Sequence, residues 1–192
     1  MDIILASGSL YRKQLFEQLG VEFRVEVSQV DEAPIQNDKN LEISKKASLL
    51  AELKAKAVFE SNPKSLVIGS DQVAQLEQAT LGKPGTKEKA IEQLLSMSGK
   101  THFLHTAVTL FAPGHKSSFL NTTKLKMREL TPAQIENYID RDEPLDCAGS
   151  YKLEKSGITL FESIETSDHT AIIGLPLIEL TSNLIALGLS IP

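Results

Sequence analysis

Residues 3–20, IILASGSLYRKQLFEQLG, constrain the fold of this chain more than any other stretch: an apolar run breaks into small residues and turns at once into helical periodicity. Ile3 to Leu5 read as a buried strand, and Leu15, Phe16 and Leu19 recur at helical spacing until Gly20 supplies a stop. The helix therefore begins near Ser9 or Leu10. Its first turn carries Arg12 and Lys13, at the positive end of the backbone dipole, where acids are favoured over bases. Two readings account for these cations. Either an anion rests on the N–H groups of the Ser7-Gly8-Ser9 bend and Arg12 offers its planar fork to phosphate oxygens, or Ser9 caps the helix and both cations are solvated.

A second apolar strand delivers small and acidic residues in SLVIGSDQVAQLE (65–77), where a buried strand is expected to pass through Gly69 into a polar turn bearing Asp71. Between the two, VEFRVEV (21–27) alternates as a half-buried strand and VDEAPIQND (30–38) reads as a polar loop or turn. Leu41 to about Glu60 is helical, with Ile43, Ala47, Leu50, Ala51 and Val58 available to a core. Residues 80–100 start as a Gly/Pro loop and become an amphipathic helix ended by Ser98-Gly99. THFLHTAVTLFAPG and SSFLNTTKLKMREL form a hairpin about Pro113-Gly114. Thr131-Pro132-Ala133-Gln134 opens a helix over 132–141, with a cap, a first-turn proline and a Gln three residues after the cap. Residues 144–165 are loop-rich and end in a strand, and the last helix runs from Pro176 to Leu187 before Gly188. Helices and strands alternate early and strands cluster in the middle, so the class is α/β or α+β with one mixed sheet.

At 192 residues, 41% of them hydrophobic, the chain is expected to form one domain over 1–192 with a substantial core. A net charge of −5 argues against tight, general binding to nucleic-acid polymers or anionic membranes, which reward a broad basic surface. A phosphate pocket needs only a few local cations. The lone Cys147 cannot pair internally, and the opening Met-Asp-Ile lacks a basic secretory region. No apolar run approaches the roughly 20 residues that span a bilayer. A cytoplasmic protein is expected. Asp31-Glu32 and Asp71 are acids in loop contexts, suited to holding Mg²⁺ through oxygen or to taking a proton from an attacking water. Taken singly, each of them, like Lys54 and Lys83, reads as a surface or turn-capping group. His102, His105, His115 and His169 lack the spacing of a zinc site, and His102 and His105 read as strand residues.

In combination the segments are more specific. LASGSLYRKQLFEQLG is followed in order by VDE (30–32), KAKAV (54–58), IGSDQV (68–73), LGKP (81–84), SGKTHFLHTAVTL (98–110), CAGSYKLEKSGITLFE (147–162) and IIGLPLIEL (172–180). This series resembles the Maf family of nucleotide pyrophosphatases over essentially the entire chain. The resemblance implies an elongated α/β fold with a mixed central sheet flanked by helices, two lobes around a cleft, similar to inosine triphosphate pyrophosphatases. It also implies a homodimer and cleavage of a nucleoside triphosphate between its α and β phosphates with a divalent cation, Mg²⁺ or Mn²⁺. Carried over position by position, it makes Ser7, Ser9 and Arg12 phosphate ligands and Asp71 the proton acceptor. Glu32, Lys54 and Lys83 complete the catalytic set, with Glu32 and Asp71 toward the metal.

Three further positions, Tyr11, Gln72 and Glu154, resemble the subgroup that acts on 7-methylguanosine triphosphate, although that subgroup usually has Trp where Tyr11 stands. A carboxylate such as Glu154 accepts hydrogen bonds from guanine N1–H and its N2 amine, and a cationic N7-methylated purine suits an electron-rich ring such as Tyr11. The competing expectations are a pyrophosphatase for dTTP and UTP and a non-enzymatic regulator of septum formation, an association the family also carries.

Overall fold

Strand β1 (Ile3–Leu5) and the first half of β3 (Leu66–Leu76) are buried on both faces, as parallel strands covered by helices must be. They pair in parallel, Ile3 opposite Leu66 and Leu5 opposite Ile68. The computed structural model describes residues 1–191. Around those two strands run α1 (Leu10–Glu17), β2 (Arg24–Val25), α2 (Ala33–Gln36), α3 (Ile43–Ser61), β4 (Ala79–Leu81), α4 (Lys87–Met97), β5 (Thr101–Ala112), β6 (His115–Met127), α5 (Pro132–Asp142), a 3₁₀ turn (Ser156–Leu160), β7 (Phe161–Glu165), α6 (Thr170–Ile173) and α7 (Leu177–Ala186). The strands make one mixed, seven-stranded sheet in the order β2-β1-β3-β5-β6-β7, with β4 pairing to β3.

The chain divides into two compact units. The first comprises Met1–Gln72, Thr106–Asn121 and Asp168 onward, and the second Val73–His105 and Thr122–Ser167. In the first unit the period of two sorts side chains to opposite faces of the sheet. Ile3, Leu5, Leu66 and Ile68 join Leu15 and Phe16 of α1 and Leu177, Leu180 and Leu184 of α7 in one core. Ile4, Ala6 and Val67 pack with Ala55 and Val58 of α3 in another. In the second unit α4 and α5 pack together, and Tyr151 stands edge-on to Phe161 at 5.0 Å between ring centroids. Among the described residues no helix is long and apolar enough to cross a membrane.

The expected β1, α1, α3, hairpin, α5, β7 and α7 are all present, and the predicted capping box at Thr131 and Gln134 is formed. The segment around Asp71 departs from expectation. β3 does not turn after Gly69 but continues to Leu76, so Asp71 lies within a strand. The glycine is needed for close approach instead: a Cβ there would sit 2.5 Å from the Ala51 carbonyl oxygen and 2.7 Å from Ala55 on α3. VEFRVEV contributes only the two residues of β2, because β1, its partner in the sheet, is itself three residues long. The expected loop at 30–38 contains α2, started by Asp31 Oδ1 accepting the Ala33 N–H at 3.0 Å and closed by Lys46 Nζ donating to the Gln36 carbonyl at 2.8 Å. Residues 79–81 are paired as β4 rather than looped.

Candidate active site

The bend between β1 and α1 is built by its serines. Ser7 Oγ accepts the Ser9 N–H at 3.2 Å, and Ser9 Oγ caps α1 by accepting the Arg12 N–H at 3.4 Å. The two cations of the first turn then part company. Lys13 lies on the exposed side and pairs with Glu17 at 3.6 Å, a surface bridge of little energetic weight. Arg12 turns inward. Its Nε donates to the Gly174 carbonyl at 2.9 Å and its Nη1 to Ser7 Oγ at 3.3 Å. Burial lowers the guanidinium pKa from its usual value, while the nearby carboxylates of Asp71 and Glu32 oppose that fall. An arginine stays protonated under both influences.

Alternation along β3 aims Asp71 at α3, the face on which Gly69 also lies. Lys54 of α3 donates to Asp71 Oδ1 at 2.6 Å and reaches Glu32 Oε1 at 2.9 Å, so one ammonium bridges two carboxylates. Glu32 Oε2 in turn accepts from Gln36 Nε2 at 2.9 Å, which ties the carboxylate to α2. The Asp71 side chain is only 11% exposed. Burial raises its proton affinity above the usual carboxylate range, Lys54 and Arg12 pull it back down, and Glu32 adds to the rise.

Ser7, Ser9, Arg12, Glu32, Lys54 and Asp71 therefore belong to one constellation in the first unit, with Tyr11 half-buried beside Arg12 on α1. Gln72 is tied by its amide nitrogen to the backbone of α6, at 2.9 Å from the Ala171 carbonyl. Lys83 and Glu154 are exposed residues of the second unit, on the loop after β4 and just before the 3₁₀ turn. Three supporting residues had no signal in composition or spacing. Ser70 Oγ donates to the Gly174 carbonyl at 3.0 Å, Thr106 Oγ1 to the Ala171 carbonyl at 2.8 Å, and Asp168 accepts from the N–H groups of Thr170 and Ile178. Gly174 is the one exception in principle, since a glycine two residues before a proline marks a bend. It adopts φ +120.

The donor set bears on metal binding. Among the described residues no cluster of three or more His, Cys, Asp and Glu side chains offers a closed metal cage. Two carboxylates gathered around one ammonium are the set that a hard divalent cation shares with substrate phosphates and water.

The sequence matches the family described as Maf-like protein over residues 2–187. A protein of Xanthomonas oryzae pv. oryzae (strain MAFF 311018) named 7-methyl-GTP pyrophosphatase is 47% identical over 99% of this chain and 98% of its own. One of the same name from Bdellovibrio bacteriovorus is 46% identical over 93% of each chain. A solved nucleoside-triphosphatase, a dITP/XTP pyrophosphatase from Mycobacterium abscessus, is similar at 13% identity and a TM-score of 0.43, with 96% of this chain and 98% of that one covered. On the sequence matches, which run nearly from end to end, this chain belongs to the Maf family.

Proposed function

We propose that this protein hydrolyses 7-methyl-GTP between its α and β phosphates, releasing 7-methyl-GMP and pyrophosphate. The observation that carries the chemistry is the Asp71–Lys54–Glu32 bridge beside Arg12 and the serine bend. The substrate comes from the relatives' names and from the residues at 11, 72 and 154.

The triphosphate rests on the bend of Ser7, Gly8 and Ser9, where a helix N-terminus and small residues admit an anion to backbone N–H groups. Arg12 binds the phosphate oxygens through the N–H groups that Gly174 and Ser7 leave over. Lys54 engages Asp71 Oδ1, so Oδ2 is the oxygen that takes the proton. A water oxygen bonds to the α phosphorus, its proton passes to Asp71, and the α–β anhydride bond breaks in line, with the electron pair leaving on pyrophosphate. Glu32 and Asp71 would hold a divalent cation, Mg²⁺ or Mn²⁺, which when bound would supply charge neutralisation on the phosphates. The raised proton affinity of Asp71 matches its task, since a stronger base takes a proton more readily, and Lys54 and Arg12 oppose the rise that burial causes. Tyr11 stacks on the cationic base. Lys83 and Glu154 keep the roles that the family resemblance gives them, a catalytic cation and a carboxylate for the guanine edge. The homodimer and the cytoplasmic location belong to the same reading.

A pyrophosphate-release screen over 7-methyl-GTP, GTP, dTTP and UTP, with Mg²⁺ and with Mn²⁺, tests this. Turnover of 7-methyl-GTP well above the pyrimidine nucleotides is expected. Comparable turnover of all four removes the base assignment, and no release from any removes the enzyme assignment in favour of a binding protein.

A further inference from the structure

We propose that Gln93 of α4 is a positioning residue that fastens the loop carrying Lys83 to the loop carrying Glu154. The inference rests on the catalytic and base-reading roles given above to those two residues. Both loops belong to the second unit and run without helix or strand of their own. Gln93 Nε2 donates to the Gly82 carbonyl at 3.0 Å, one residue before Lys83. Its Oε1 accepts from the Ser150 hydroxyl at 2.6 Å, on the segment that leads to Glu154. A carbonyl oxygen only accepts, so Gly82 dictates which end of the amide is nitrogen; the other end is then an oxygen, and it meets a hydroxyl that can donate. One side chain is thereby committed at both ends. The backbone repeats the join where the Gly85 N–H donates to the Leu145 carbonyl at 3.0 Å.

Ser150 is held in place by its surroundings. It is fully buried and adopts φ +62, a left-handed conformation that residues with a Cβ seldom take, directly after Gly149 at φ +80. Such a backbone persists where neighbouring groups over-determine it. The bond to Gln93 is one of these restraints, and the Ser150 N–H to the Cys147 carbonyl at 3.1 Å is another. Beyond Ser150 the chain is pinned to α5. The Tyr138 hydroxyl accepts the Lys152 N–H at 2.9 Å, and Oδ2 of Asp142, a residue only 2% exposed, accepts the Ser156 N–H at 2.9 Å. Glu154 stands between these anchors, in a turn that the N–H groups of Lys155 and Gly157 close on the Lys152 carbonyl at 3.2 and 3.0 Å. Its backbone is therefore set by α5 after Ser150 and by α4 at Ser150, and Gln93 extends the second hold to the Lys83 loop. Exposed side chains such as Lys83 and Glu154 keep a working position only as well as the backbone beneath them does.

The test is steady-state turnover of 7-methyl-GTP and UTP by the wild-type protein, Gln93→Met, Gln93→Glu and Ser150→Ala. Methionine keeps the length of the side chain and loses both bonds; kcat/KM for 7-methyl-GTP is expected to fall on the order of tenfold, and its ratio to that for UTP to narrow about fivefold. Glutamate still accepts from Ser150 but sets an oxygen against the Gly82 carbonyl, so kcat is expected to fall through the Lys83 loop while the ratio stays within about twofold of wild type. Ser150→Ala releases the Glu154 loop alone. It narrows the ratio with a smaller loss of kcat than Gln93→Met shows, and it carries the test should Gln93→Met unfold. In a Glu154→Gln background, Gln93→Met is expected to narrow the ratio no further, since the base contact it supports is already gone. An unchanged ratio in Gln93→Met, or in Ser150→Ala where the first variant does not fold, overturns the proposal, because a uniform loss of turnover assigns Gln93 to stability alone. A wild-type protein that cleaves neither triphosphate, or cleaves both alike, instead overturns the reading of function on which the proposal rests.

Discussion

The two units differ in the company their buried titratable groups keep. In the first, Arg12, Lys54, Glu32 and Asp71 lie close together, with Lys54 bridging the two carboxylates and their charges pulling back against the shifts that burial imposes on Arg12 and Asp71. In the second, burial pushes several such groups toward their neutral forms, while Lys152 is buried and pairs with Asp146 at 2.8 Å. His102 is pushed down to about 4, Cys147 is pushed up to about 12, and the hydroxyls of Tyr138 and Tyr151 are raised as well. His102 is fully buried, with Nε2 at 2.9 Å from the Tyr151 hydroxyl and with Nδ1 among the buried side-chain atoms that find no partner in the described structure. Low exposure is common to both units, so burial alone does not decide whether a group works as a charge; an opposite charge within a few ångströms does. The first unit gathers two cations and two carboxylates at the bend and β3, whereas the second buries His102, Tyr138 and Tyr151 away from any such cluster.

The sharpest way to break this contrast is Asp71→Asn. The amide leaves the strand intact but cannot accept the proton, and pyrophosphate release is expected to fall on the order of a thousandfold. A loss below tenfold in a steady-state assay would move the base elsewhere. Arg12→Lys keeps the charge and removes the fork that divides between Gly174, Ser7 and the phosphates; kcat/KM is expected to drop roughly a hundredfold.

Lys54→Gln acts on the pH profile. Lys54 lowers an Asp71 pKa that burial has raised, so its removal raises that pKa further. Activity requires ionised Asp71 and is lost as pH falls through this value, so the acid limb of kcat/KM moves to higher pH, whereas an unmoved limb would separate Lys54 from the base. His102→Phe, in the second unit, has the smallest expected effect. It leaves the Tyr151 hydroxyl without its partner, costing about 1 kcal/mol in denaturant unfolding with kcat unchanged.

Legibility of the sequence followed the range of the interactions involved. The β1–α1 bend and the α5 capping box are local, and both could be read from a few adjacent residues. The role of Gly69 could not, because a glycine before Ser-Asp looks the same whether it bends the chain or admits a helix; the approach of Ala51 and Ala55 on α3 decides between them. A four-residue helix such as α2 buries no residues and so leaves no apolar period to detect. The grouping of Glu32, Lys54 and Asp71 came from family resemblance, since nothing in their spacing brings them together. The supports of Arg12 at Ser70, Thr106, Asp168 and Gly174 are contacts across up to 162 positions of chain and became visible only in three dimensions.

The central claim is that a triphosphate settles on the bend ahead of α1, against Arg12. A crystal structure of Asp71→Asn soaked with 7-methyl-GTP and Mg²⁺ tests it most directly. The account predicts phosphate oxygens on the amides of residues 7–9 and on the Arg12 guanidinium, with Arg12 still held by Gly174. Nucleotide bound elsewhere, with the bend empty and Arg12 turned away from Gly174, would contradict it.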